Sequence, residues 1–209
     1  MHDSDQGVGP FAHQREPRPA CVIFQQHRTS ENCALQFPSV QLNSTPPMPN
    51  LAYLSLGSNI GDRENHLHDA IARLQSVGGI VSVSSFYETE PVEFADQSWF
   101  LNCALGLETT QTPGQLMAAV LHIEQEMGRR RIQKKGPRII DIDILLFGDT
   151  IVNSPALTVP HPAMQQRRFV LQPLAEIAPG AWHPVLRKTV RELLDALPPG
   201  QTVRKSKKS

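Results

Sequence analysis

The apolar run LAYLSLG at residues 51–57 reads as a β-strand that ends in glycine. SNIGD after it reads as a turn. Asp62 is placed to cap a helix that carries Leu67, Ala70, Ile71 and Leu74 at spacings of 3, 4 and 7. Gly78 and Gly79 close that helix. IVSVSSFY, residues 80–87, alternates as a second strand, and ETEPVEFADQS reads as a loop. WFLNCALGLE, residues 99–108, is a third strand with Leu101, Cys103, Leu105 and Leu107 on one face and Phe100 and Asn102 on the other. Thr112 caps a second helix, with Pro113 at its first position and Gln115 completing a capping box. Leu116, Val120, Leu121 and Met127 mark that helix's apolar face, and Gly128 ends it. A basic loop then leads into GPRIIDIDILLF, residues 136–147. The order β-α-β-β-α-β predicts an α+β fold, ferredoxin-like, with an antiparallel sheet and helices on one face. The other face is left open for a ligand. A short strand near TIV and helical pieces at RFVLQPLAEI and VRELLDAL form C-terminal additions.

This patterning starts only near residue 48. Residues 1–47 are rich in Pro, Gln, Ser and His and hold one short apolar patch, CVIF, so they read as a disordered, dispensable N-terminal extension. Met48 is a candidate start site, and an intact native protein beginning at residue 1 would refute that. Residues 48–203 form the folded domain, and 204–209 read as a solvated basic tail. A chain of 209 residues with 40% hydrophobic content suits one domain. Its 20 basic and 20 acidic residues cancel, so overall charge points to neither nucleic acid nor a membrane surface. No apolar run approaches a membrane span. Three cysteines without metal-site spacing suit a reducing compartment. The bounded reading is a soluble cytoplasmic domain.

Asp141 and Asp143 are the first candidates for chemistry. In a strand both point to one face, with Ile140, Ile142 and Ile144 on the other. Two carboxylates roughly 6–7 Å apart repel by about 2.5 kcal/mol at an effective dielectric near 20. A solvent-exposed strand face would tolerate them. However, the strand is otherwise strongly apolar and follows KKGPR, and paired oxygen ligands are what magnesium uses when it also binds substrate phosphates. The loop holding Arg129, Arg130, Arg131, Lys134, Lys135 and Arg138 would serve as a lid over polyphosphate, although most such charge runs are solvated surface. GSNIGD matches neither the P-loop nor a dinucleotide fingerprint. His161, between two prolines, and Phe169 are by base rates structural. A base-stacking RNA module is the main alternative; it needs exposed aromatics where this open face carries aspartates.

The motifs GSN, SSFYETEPV, FLNCALGLET, IEQEMGR, GPRIIDIDILLFGD and LTVPHPAMQQRRFVLQPLAEIAP occur in that order. Together they resemble the 6-hydroxymethyl-7,8-dihydropterin pyrophosphokinase family of folate biosynthesis. The resemblance implies transfer of the diphosphate of ATP to the pterin hydroxymethyl group, with two magnesium ions and AMP as product. It implies that Asp141 and Asp143 hold the metals, and that Arg131 and Arg138 act on the triphosphate. It further implies that Glu124, Arg129, Ile144, Thr158, His161 and Arg167 lie around ATP. Thr89, Val92, Phe100, Asn102 and Phe169 would form the pterin pocket, with Phe100 and Phe169 stacking on the ring. The chain departs from the common pattern at Glu90, Lys135 and Ala156, positions that bear on lid closure and ATP affinity.

Overall fold

The computed structural model describes residues 48–90, 98–129 and 138–207. Strand β1 (Asn50–Ser58) is central and pairs antiparallel with both β4 (Phe100–Thr109) and β5 (Asp141–Phe147). Strands β2 (Gly79–Val83) and β3 (Tyr87–Thr89) both lie along β4. Helices α1 (Arg63–Leu74) and α2 (Pro113–Glu126) begin where their caps predict. The Asp62 side chain accepts from Asn65 N, and Thr112 and Gln115 form the reciprocal capping box.

Strand periodicity sorts the core. Leu54, Leu56, Leu105, Leu107, Ile142 and Ile144 pack against Leu67, Ala70 and Leu74 of α1 and Leu116, Val120 and Ile123 of α2. Each buried leucine, isoleucine or valine among these stabilises by roughly 1.5–3 kcal/mol before the entropy cost. On α2, Ile123 and Glu124 are buried, whereas Leu121 is only partly covered.

The second face is not wholly open. Helices α3 (Arg168–Ile177) and α4 (Val190–Asp195) bury Val170, Leu171, Leu174, Leu193 and Leu194 against Ala104, Leu145 and Leu146. A bulge makes this possible. Leu54 pairs with Ile144 and Tyr53 with Leu146, which leaves Leu145 as an extra residue. One end of that face is therefore a second core, and the other end keeps Asn102, Asp141 and Asp143.

The strand expected over residues 80–87 is broken. Val83 pairs with Leu105 and Tyr87 with Asn102, four steps against three. Between them Ser84 N donates to Ala104 O at 2.9 Å, and Ser84 Oγ accepts from Ala104 N at 2.9 Å. The serine hydroxyl replaces a strand carbonyl at the bend, after which β3 runs on into residues expected to be loop. The boundary drawn at 203/204 also needs correction. Val203–Lys205 form an edge strand, β10 below, paired with Thr89, Glu88 and Tyr87. Three residues are too few to show a period.

Two further pairs of short strands complete the additions. Strands β6 (Val152–Asn153) and β7 (Thr158–Val159) form a hairpin after β5, and β8 (Trp182–His183) pairs with β9 (Lys188–Thr189) before α4. The last strand, β10, closes the main sheet, whose order is β10-β3-β4-β1-β5.

Candidate active site

Gly57 of β1 stands opposite Asn102 of β4 on one side and Asp141 of β5 on the other. The next row is Ala104, Ser55 and Asp143. Asn102 and the first aspartate are thus two strand spacings apart, on the order of 10 Å, with only a glycine between them. A Cβ on Gly57 would lie 2.5 Å from Asn102 Oδ1 and 3.9 Å from the Phe100 ring. The missing side chain is what leaves the floor of the site open.

Asn102 is buried, and its Nδ2 donates to Thr89 Oγ1 at 2.7 Å, which fixes the orientation of the amide. Phe100, one step outward on the same face, carries the Arg138 guanidinium 5.8 Å from its ring centroid. Arg63 of α1 holds this corner together: it donates to both Glu88 oxygens and, at 2.7 Å, to the carbonyl of Trp99.

The positive charge that the aspartate pair requires comes from arginines. Arg138 Nη1 contacts Asp141 Oδ2 at 2.6 Å, and Arg129 Nη1 contacts Asp141 Oδ1 at 2.6 Å. These two residues flank the basic loop. Arg129 follows Gly128, whose φ of 86° turns the chain out of α2. Arg138 is held by Asn59, whose Oδ1 accepts from Arg138 N at 2.8 Å and whose N donates to Arg138 O at 3.2 Å. Arg131, Lys134 and Lys135 lie outside the described residues, as does Val92.

Asp143 has weaker company. Arg167 Nη1 is 3.9 Å from its Oδ2, and His161 Nε2 is 4.0 Å away. Burial, then the charge of Asp141, hold the Asp143 carboxyl above the usual range, with Arg167 opposing. Burial, then Arg167, push His161 down to about 4. Ala163 N donates to His161 Nδ1 at 3.2 Å, so the neutral ring carries its proton on Nε2, toward Asp143.

Glu124 lies behind Arg129. It is buried, accepts from Ile142 N at 2.8 Å and pairs with Arg129. Burial raises its carboxyl, while the Ile142 N–H and Arg129 oppose the rise. Its Oε1 sits at the α2–β5 junction, where it braces Arg129 beside Asp141.

Ile144, Thr158 and His161 are brought together. They line a cavity of about 210 Å³ that begins at Asp143 and is walled by Met117 and by residues 154–157 of the β6–β7 hairpin. Ala156 is in that wall. Phe169, at the start of α3, has the Arg167 guanidinium 5.7 Å from its ring centroid. Asn59, Met117 and the wall residues Ser154, Pro155 and Leu157 carry no clear signal in the sequence, whereas Ala156 does. Asn59 had one signal, its place in GSN, but a turn explains that motif equally well.

Among the described residues no group of three or more His, Cys, Asp and Glu side chains could hold a metal ion. Asp141 and Asp143 offer carboxylate oxygens from one face of β5, and magnesium takes one or two carboxylates and completes its shell with water and phosphate oxygens, so this pair fits a magnesium–polyphosphate ligand.

An acidic pair on a ferredoxin-like sheet, with arginines beside it and a cavity at its border, is the kind of site in which carboxylates can hold a divalent cation that carries a polyphosphate. Residues 53–179 match the model of the 7,8-dihydro-6-hydroxymethylpterin-pyrophosphokinase (HPPK) family, and the chain belongs to that family. It is 48% identical over 132 residues to the 2-amino-4-hydroxy-6-hydroxymethyldihydropteridine pyrophosphokinase of Bacillus subtilis, covering 62% of this chain and 79% of that one. It is 45% identical over 150 residues to the folic acid synthesis protein fol1 of Schizosaccharomyces pombe, covering 71% of this chain but only 20% of that protein. A crystal structure of wild-type Plasmodium falciparum HPPK-DHPS shares the fold with a TM-score of 0.57 at 18% identity, over 70% of this chain and 44% of that one. The chain thus spans a fifth of the fission-yeast protein and under half of the Plasmodium chain.

Proposed function

We propose that this chain transfers the diphosphate of ATP to the hydroxymethyl group of 6-hydroxymethyl-7,8-dihydropterin, giving AMP and the pterin diphosphate. Membership of the family supports the reaction class. The observation that carries the reading is the row Asn102–Gly57–Asp141, which puts an oriented amide and a carboxylate at the two ends of one open floor.

The flat heterocycle stacks on Phe100 and Phe169, and the Asn102 amide, held by Thr89, reads its polar edge. Val92 is assigned to that pocket on the family resemblance alone. ATP lies along the Asp143–Thr158–His161 cavity. His161 stays neutral near pH 7 and presents an N–H. Arg138 and Arg167 meet phosphate oxygens, and Arg129, braced by Glu124, neutralises Asp141. Arg131 is assigned to charge developing on the transferred group. Asp141 and Asp143 would hold two magnesium ions, which would supply charge neutralisation and Lewis-acid polarisation. The chain's own contribution is alignment: the hydroxyl and the phosphate chain are held on one floor so that attack is effectively intramolecular.

Among the described residues no helix is long and apolar enough to cross a membrane. Cys103 is a buried free thiol pushed up to about 12 by burial, in keeping with a reducing compartment. We place the protein in the cytoplasm as a monomer with small-molecule partners and no nucleic acid, with residues 1–47 dispensable for the chemistry. The test is a product assay on the full chain with ATP, magnesium and 6-hydroxymethyl-7,8-dihydropterin, separating AMP from ADP. Pterin-dependent AMP is the expected result. ADP, or AMP formed without pterin, would overturn the assignment.

A further inference from the structure

Helix α3 begins without a cap of its own. Its N-cap residue is Arg167, whose side chain makes no capping bond, yet the first-turn N–H groups need acceptors. The N–H of Phe169 finds one far away in sequence, donating to Oε1 of Gln201 at 3.2 Å. The other end of the same amide is also used: Gln201 Nε2 donates to the carbonyl of Glu90 at 3.2 Å. One side chain therefore joins the backbone just after β3 to the backbone at the start of α3.

The surroundings hold that amide in place. Glu90 N donates to Thr202 O at 3.3 Å, and Thr202 N donates to Glu90 Oε2 at 3.3 Å. Beyond them Val203 pairs with Thr89, so Gln201 sits at the head of a strand zipped to β3. Proline at position 90 would offer neither the N–H nor the carboxylate. The anchoring thus depends on the residue this chain has at 90.

We propose that Gln201 is a positioning residue that sets the separation between Thr89 and Phe169, and so the fit of the slot for a flat heterocycle. The proposal rests on the pterin assignment above. Gln201 touches neither substrate in this reading; it acts through the two segments it spans. Its effect should fall on the heterocycle more than on the nucleotide, because Gln201 bonds to Phe169 N and Glu90 O and to no residue that lines the Asp143–Thr158–His161 cavity.

The test uses full-length wild type, Gln201→Leu and Gln201→Glu. Each is assayed for AMP formation with both substrates varied, for binding of 6-hydroxymethylpterin by calorimetry, and for Tm. Gln201→Leu loses both bonds, and its KM and Kd for the pterin should rise about tenfold, with the KM for ATP within about twofold of wild type. Gln201→Glu keeps an acceptor for Phe169 N but loses the donor to Glu90, and should fall between the two. Unchanged pterin affinity in Gln201→Leu, even with a lowered Tm, would overturn the proposal. So would an equal loss for both substrates, or a fall in kcat alone that tracks the folded fraction. If wild type itself makes no pterin-dependent AMP, the pterin assignment fails and takes this proposal with it.

Discussion

Gly57 contributes by having no side chain. An added methyl would stand 2.5 Å from Asn102 Oδ1, so the amide would have to turn and give up its 2.7 Å bond to Thr89. Gly57→Ala should raise the pterin KM about tenfold, the worth of roughly one buried hydrogen bond, and leave the ATP KM unchanged; steady-state kinetics with each substrate varied reads both. Asp141 is the opposite case, a residue valued for its charge. It meets Arg129 and Arg138 at 2.6 Å each. Asp141→Asn keeps the shape and removes the charge, and we expect kcat to fall by about a hundredfold or more, with the circular dichroism spectrum unchanged. Near-normal turnover in that variant would remove Asp141 from the metal assignment.

Helix α2 links stability to the site at the scale of an element. Its first turn is held by the Thr112–Gln115 box, its buried face by Leu116, Val120 and Ile123, and its last turn carries Glu124, which braces Arg129. Thr112→Ala removes one cap and should cost about 1 kcal/mol, seen as a lower midpoint in urea. Both KM values should hold at temperatures where the protein stays folded, because Glu124 lies near the far end of the helix. A change in ATP KM would show that fraying travels along α2. Strand β5 likewise has two halves. Asp141 to Ile144 alternate strictly, and after the extra residue Leu145 the strand turns apolar on the second face as well.

At the scale of the molecule the formal charge is zero, and the electrostatics are local. His161 shows it. Its folded pKa is held down to about 4, below the ordinary value of about 6.5. Between those values the unfolded chain takes up a proton that the folded one refuses. The His161 contribution to stability is therefore complete above pH 6.5 and is lost as pH falls toward 4. Asp143 works the other way: its raised carboxyl favours the fold at low pH, and that contribution is lost as pH rises through the folded value. In metal-free buffer, the stability difference between wild type and His161→Gln should move in favour of wild type from pH 4 to 6.5 and then level off. Urea denaturation across that range measures it, and a difference independent of pH would mean that His161 titrates as an ordinary surface imidazole.

The features legible in the sequence are those whose causes lie within a few residues of one another. The Asp62 and Thr112 caps, the alternation that sends Asp141 and Asp143 to one face, and the apolar stripes of α1 and α2 all follow from short-range geometry. Local pattern was silent wherever a partner came from far along the chain. Ser84 bends a strand because Ala104 lies opposite it. Glu124 turns inward because Ile142 and Arg129 meet it there. The basic C-terminal residues become strand β10 because β3 has an unpaired edge. Which end of the second face is core and which is site depends on α3, whose start is held by Gln201. Sequence alone therefore determined the elements and the side chains that carry charge, because φ/ψ preferences and periodicity act locally. Only the tertiary structure decided which of those side chains meet, because burial and hydrogen-bond pairing between distant segments are settled when the sheet and helices pack.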